Sequence, residues 1–137
     1  MTKRVLILCT GNSARSQMAE GFFRQLGGAD YAVHSAGTYP SVVNPLAIEA
    51  MREVCIDISS HRSKSIEEFA GQAFEVVITV CDFAAEHCPV FPGSPQRLHW
   101  SLPDPAAVSG SDEAKLAHFR SIRDELASLI RGFLAHQ

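Results

Sequence analysis

The apolar positions of this chain alternate between two spacings. Val5, Leu6, Ile7 and Leu8 form a continuous run, as expected of a strand covered on both faces. From Ser16 onward Met18, Ala19, Phe22, Phe23 and Leu26 fall at helical spacing, and Gly27-Gly28 stops the pattern. Tyr31–Ser35 reads as a second strand closed by Gly37. Asn44-Pro45 reads as an N-cap with proline at the first helical position, followed by a helix with Leu46, Ala47, Ala50, Met51 and Val54 on one face. Ser65-x-x-Glu68 has the form of a capping box for a short helix over Ile66–Ala70. The β-branched run Val76–Val80 predicts a central strand and Arg97–Trp100 a shorter one, while Leu116, Phe119, Ile122, Leu126, Leu129, Ile130 and Phe133 stripe a long C-terminal helix. This order predicts an α/β single-domain three-layer sandwich over residues 1–137, with a central four-stranded parallel sheet and helices on both faces. Such sheets bind ligands at the carboxyl ends of their strands, where Cys9 and Cys81 both fall.

Composition narrows the function classes. With 137 residues, 46% hydrophobic and 20% charged, the chain is long enough for one real core. A net charge of −3 and the lack of a basic block give no reason to expect nucleic acid or a membrane surface as partner. Only four aliphatic residues follow Met1-Thr2-Lys3-Arg4, too few for a signal peptide or a span, so a cytoplasmic monomer is expected. In a reducing compartment Cys9, Cys55, Cys81 and Cys88 point to catalytic, redox or metal chemistry rather than to structural disulfides.

The strongest chemical signal is Cys9-x5-Arg15-Ser16 at a strand-to-helix junction. A strand end delivers one sulfur to a turn whose backbone N–H groups, together with the following helix N-terminus, attract a tetrahedral anion. Thr10, Gly11, Asn12, Ser13, Ala14, Arg15 and Ser16 are the expected oxyanion-binding residues. Gly11 offers a positive φ, and Asn12 tolerates the left-handed region. Arg15 supplies a planar fork for two oxygens, Ser16 can donate to the sulfur, and the positive surroundings favour a thiolate nucleophile.

Two further stretches are informative. Were residues 81–88 helical, Cys81 and Cys88 would lie about 10 Å apart along the axis. A disulfide needs Cα atoms within roughly 7 Å, so pairing them requires the segment to unwind. A zinc site from Cys81, His87 and Cys88 is a weaker reading, because the spacing is wide and no fourth ligand is evident; no metal is expected. Pro103-Asp104-Pro105 presents a carboxylate with little conformational freedom, available to protonate a leaving oxygen. Cys55 reads as a core thiol without a partner, and His61 as a residue of the pocket rim.

Taken together, the loop from Cys9 to Glu20, Ser35-Ala36-Gly37, Asn44-Pro45, Ala50-Met51, Ile56–Ser59, Cys81, Cys88-Pro89, His99-Trp100 and Asp104-Pro105-Ala106 resemble the arsenate reductases built on the low-molecular-weight tyrosine phosphatase fold and usually coupled to thioredoxin. The resemblance spans nearly the whole chain and implies that fold. It implies that Cys9 attacks arsenate held by Arg15 and the loop, with Asp104 as acid. Cys81 then displaces arsenite as a Cys9–Cys81 disulfide forms, and Cys88 moves the bridge outward for reduction by thioredoxin or glutaredoxin. No cofactor is implied, and phosphate and sulfate are the expected competing oxyanions.

There are two departures from the family pattern. Ala14 stands where many relatives have a further cysteine, and Lys64 stands where potassium-binding relatives place an aspartate. The resemblance suggests a cation site at Asn12, Glu20 and Ser35 whose cation the Lys64 ammonium replaces. Two other functions compete with the reductase. One is a tyrosine phosphatase, weakened by Ala106-Ala107 where such enzymes carry an aromatic pair. The other is a non-catalytic redox or oxyanion sensor.

Overall fold

The aliphatic run near the N-terminus is unbroken because its strand, β1 (Lys3–Cys9), is sandwiched on both faces and flanked on both edges. The computed structural model describes residues 2–137. β1 pairs with β2 (Tyr31–Gly37) on one side and β3 (Val76–Thr79) on the other. β4 (Gln96–His99) pairs with β3, so the parallel sheet has the order β2-β1-β3-β4. Leu6, Ile7, Leu8 and Ile78 are completely buried, each contributing about 1.5–3 kcal/mol of apolar transfer.

Register sorts the side chains into two layers. Val5, Ile7, Ile78 and Leu98 face one way, toward α1 (Arg15–Gly27), α2 (Pro45–Arg52) and α4 (Asp112–Ala135), which pack on one another. Phe23 of α1 anchors that layer, with ring centroids 5.7 Å from Phe133 and 5.2 Å from Tyr31. Leu6, Leu8, Val77, Thr79, Arg97 and His99 face the other way. That face is covered by the short α3 (Asp82–Glu86), the 3-10 turn Ile66–Phe69 and an aromatic cluster of Phe69, Phe74 and Phe91. The three-layer α/β arrangement is the expected one. Among the described residues no helix is long and apolar enough to cross a membrane.

Some local expectations differ from the structure. Gly11 does not use a positive φ; Asn12, with φ of 47°, takes the left-handed position itself. Cys55 is exposed rather than a core thiol. After α2 ends, the Cys55 N–H bonds Arg52 O, and the residue adopts φ of 64°, turning its side chain outward while Ile56 and Ile58 enter the core. Ser65 Oγ accepts from the Glu67 N–H, and the helix that follows is a single 3-10 turn with Glu68 paired to Arg62. Asn44 caps α2 as expected, accepting from the Leu46 N–H at 2.8 Å.

Candidate active site

The Cys9 loop is built by directing its carbonyls outward. Cys9 O accepts from Thr38 N–H, Thr10 O from Tyr39 N–H, and Gly11 O from both Ser41 N–H and Ser63 Oγ. Asn12 O accepts from Gln17 Nε2, Ser13 O from Asn44 N–H, and Ala14 O from Met18 N–H. Because a trans peptide points its N–H opposite to its C=O, six consecutive outward carbonyls turn the following amides toward the concave side. Ala14 at the N-cap of α1 makes no side-chain cap, so the first-turn N–H groups stay available to a ligand. Gly37 permits the close seating of this loop: a Cβ there would come within 2.5 Å of Thr10 O and 2.8 Å of Asn12 N.

At the floor, Cys9 Sγ lies 2.8 Å from Ser16 Oγ and accepts from the Asn12 N–H at 3.2 Å. Asn12 Nδ2 donates to Ser16 Oγ at 2.8 Å, which leaves the Ser16 hydroxyl hydrogen free to point at the sulfur. Arg15 donates from Nη1 to Leu102 O at 2.9 Å, tying the pocket to the loop that carries Asp104. The Asp104 carboxylate is exposed and accepts from the Ala106 N–H at 2.9 Å, capping the turn Pro105–Ala107.

Behind the loop lies a buried polar network. Asn12 Nδ2 also donates to Ser35 Oγ, which donates to Glu20 Oε1 at 2.7 Å. The Lys64 ammonium sits 3.8 Å from Glu20 Oε1 with its side chain only 12% exposed, and it donates to Arg62 O at 3.0 Å. Asn12 meets Lys64 through backbone instead, its Oδ1 accepting from the Lys64 N–H at 2.9 Å. Burial pushes the Lys64 ammonium below its ordinary range, with Glu20 opposing the shift. His61 lies in this network rather than on the rim, its Nδ1 3.0 Å from Gln17 Oε1 and 3.3 Å from Glu20 Oε2. Burial also lowers its basicity, against the pull of Glu20.

Cys81 follows β3, immediately beside the Cys9 loop. Its buried sulfur lies 3.3 Å from Thr10 Oγ1 and accepts from the Ala84 N–H at the start of α3. Cys88, half-buried beyond α3, is held separately by Arg97. His87 stacks on Phe83 and donates from Nδ1 to Phe83 O. Among the described residues no group of three His, Cys, Asp or Glu side chains is arranged to hold a metal.

Several supports carry no evident signal in the sequence: Gln17, Ser63, and the donors of residues 38–44. A triad beside Cys81 was likewise unforeseen: Asp82 Oδ1 accepts from both His99 Nε2 and Ser101 Oγ at 2.9 Å. The His99 hydrogen bond, followed by that of Ser101, holds the Asp82 carboxyl below its usual range. The alternation of Arg97, His99 and Ser101 was the available signal, since residues two apart share a strand face.

A family model described as low molecular weight phosphotyrosine protein phosphatase matches residues 4–137. The chain belongs to this family. Within it, the chain is similar to a protein named arsenate reductase from Halalkalibacterium halodurans, 46% identical over 134 residues that cover 97% of this chain and 96% of that one. Among solved structures it is similar to an arsenate reductase in the oxidized state, with a TM-score of 0.83, 36% identity and 98% coverage of each chain. It is also similar to a thioredoxin-dependent arsenate reductase of Corynebacterium glutamicum, with a TM-score of 0.68 and 27% identity, covering 95% of this chain and 62% of that longer one. The phosphatase family thus supplies the loop and fold, and these members carry a reductase name.

Proposed function

We propose that this protein reduces arsenate to arsenite. The observation that carries the reading is a second buried sulfur, Cys81, 3.3 Å from the side chain of Thr10 in an anion loop whose first residue is already a cysteine. Hydrolysis of a phosphate ester has no use for that sulfur. The relatives named arsenate reductase support the same reading.

In the proposed sequence Cys9 thiolate attacks arsenic while Arg15 and the loop amides hold the arsenate oxygens. Asp104 gives a proton to the departing oxygen, which leaves as water. Cys81 thiolate then attacks Cys9 Sγ. The sulfur–arsenic bond breaks, its electron pair stays on arsenic, and arsenite leaves as the Cys9–Cys81 disulfide forms. Cys88 thiolate attacks Cys81 Sγ and releases Cys9, and an external dithiol reduces the Cys81–Cys88 disulfide. Thioredoxin is the proposed reductant, supported by the thioredoxin-dependent relative, with glutaredoxin as the alternative. Phosphate and sulfate compete for the loop. The Lys64 ammonium beside Glu20 is proposed to stand in for a bound cation.

Phosphatase chemistry is the second reading, favoured by the family match. The test is turnover by Cys88→Ser. With thioredoxin, its reductase and NADPH, the unmodified protein is expected to oxidise NADPH continuously on arsenate. Cys88→Ser is expected to stop after about one equivalent yet keep any activity on p-nitrophenyl phosphate, and Cys9→Ser to lose both. Sustained arsenate turnover by Cys88→Ser would contradict the relay.

A further inference from the structure

Each of the three sulfurs in the proposed relay has its own hydrogen-bond partners, and they differ in charge. Cys9 meets the Ser16 hydroxyl and the Asn12 amide, and Cys81 meets the Thr10 hydroxyl and the Ala84 amide. Cys88 alone among the described residues has a cationic donor: Arg97 Nη1 points at its Sγ from 3.3 Å. The second arm of the same guanidinium, Nη2, donates to Pro89 O at 3.3 Å, so the fork grips the sulfur and the backbone next to it. The sulfur borders a pocket of about 200 Å3 lined by Val77, Ala85 and Arg97, and its own thiol donates to Pro89 O at 3.5 Å.

Arg97 belongs to a row on one face of β4. Two residues on, His99 donates to the Asp82 carboxylate, and Ser101 donates to the same oxygen. β4 and its exit therefore hold both ends of the segment between the two later cysteines, Asp82 at one end and Cys88-Pro89 at the other. Between them α3 keeps the sulfurs apart, since a disulfide needs Cα atoms within roughly 7 Å while the seven-residue step spans about 10 Å if helical.

We infer that Arg97 is a positioning residue of the last exchange, holding Cys88 at the edge of β4 as a charge-paired nucleophile until α3 opens. This rests on the proposed relay. A guanidinium N–H aimed at a partly exposed sulfur is the electropositive setting in which cysteines react as thiolates. When α3 unwinds, Cys88 thiolate leaves the fork and attacks Cys81 Sγ. The new bond joins residues 88 and 81, the Cys9–Cys81 bond breaks, and the electron pair departs with Cys9 as thiolate, received by Ser16 and Asn12. The exchange is redox-neutral, and Arg97 keeps its charge throughout. In the product Cys88 is an uncharged disulfide sulfur, so the charge-assisted bond that held the segment in the reduced form is gone.

The test uses the full-length protein with Arg97→Met and Arg97→Lys; the side chain is exposed, so neither change removes core. First, the fully reduced proteins are alkylated with limiting iodoacetamide, and the Cys88-to-Cys55 labelling ratio is read by mass spectrometry, with exposed Cys55 as internal reference. Second, single turnovers on arsenate are quenched at intervals and the disulfides mapped. Arg97→Met is expected to lower the labelling ratio and to slow conversion of Cys9–Cys81 into Cys81–Cys88 several-fold, because less of Cys88 is thiolate when α3 opens. The Cys9–Cys81 species should accumulate, and Arg97→Lys should recover much of the rate by keeping the charge. A labelling ratio and conversion rate unchanged in Arg97→Met would overturn the inference while leaving the relay standing. Unmodified protein that never forms Cys81–Cys88 would overturn the relay and with it the part given to Arg97.

Discussion

At the scale of single residues, chemistry depends on which groups are held and which are left presentable. Cys9, the proposed nucleophile, is fixed from below by Ser16 and Asn12, and Arg15, the proposed anion clamp, is braced by Leu102 O. Asp104 differs: it is exposed, and one oxygen caps its own turn through the Ala106 N–H. That bond orients the carboxyl and leaves the second oxygen unengaged by it, for the acid role proposed above. Asp104→Asn preserves the cap and removes the acid. It is expected to slow the first turnover by ~10²–10⁴-fold, as for other general acids, with arsenate affinity largely kept. Rapid-quench measurement of the first disulfide checks this, and an unchanged rate would assign the proton to another group.

At the scale of elements, the Cys9 loop owes its shape to three neighbours. Residues 38–44 take its carbonyls from one side, residues 61–65 brace it from behind, and the start of α1 closes it. The Cys9–Ser16 stretch was legible in sequence because its residue types have few other reasons to occur together at a strand end. The bracing segments were not, because they act through backbone N–H groups that every residue but proline carries. Cys55 shows the same limit: apolar periodicity could not foresee that a turn in the left-handed region would rotate it outward. Lys64 was legible as a candidate only through the family pattern, and its ammonium lies against Glu20 within the network behind the loop. Arsenate turnover is accordingly expected to be equal in potassium and sodium chloride. Lys64→Asp, which leaves Glu20 facing a second carboxylate, should make activity potassium-dependent. Strong potassium activation of the unmodified protein in steady-state assays would contradict that role.

At the scale of the whole molecule, strand order brings residues 9 and 81 together. β1 and β3 are adjacent and parallel, so their carboxyl ends meet at one edge although the cysteines are far apart in sequence. The alternating pattern put both cysteines at strand carboxyl ends; that their strands are neighbours, and which helices cover which face, depended on strand order and register. One long-range tie fastens α2 to α4: Glu53 pairs with Arg120 at 2.6 Å and Arg123 at 2.9 Å. The hydrogen bond from Arg120, and then that from Arg123, brings the Glu53 carboxyl from its ordinary 4.5 down to about 2. A depressed carboxylate pKa contributes stability that is complete above the unfolded value and is lost as pH falls through the folded one. The Tm advantage of the unmodified protein over Glu53→Gln should therefore be steady above about pH 4.5 and shrink toward pH 2. Thermal melts across that window check the sign, and a difference that stays constant to pH 2 would contradict it.

In the proposed function three sulfurs act in order on one bound arsenate. That order is tested most directly by adding one equivalent of arsenate to fully reduced protein, blocking free thiols, and mapping the linked cysteines by mass spectrometry. The unmodified protein is expected to hold a Cys81–Cys88 disulfide and Cys88→Ser a trapped Cys9–Cys81 disulfide, with Cys55 free in both. Arsenite formed without either disulfide, or a bridge through Cys55, would contradict it.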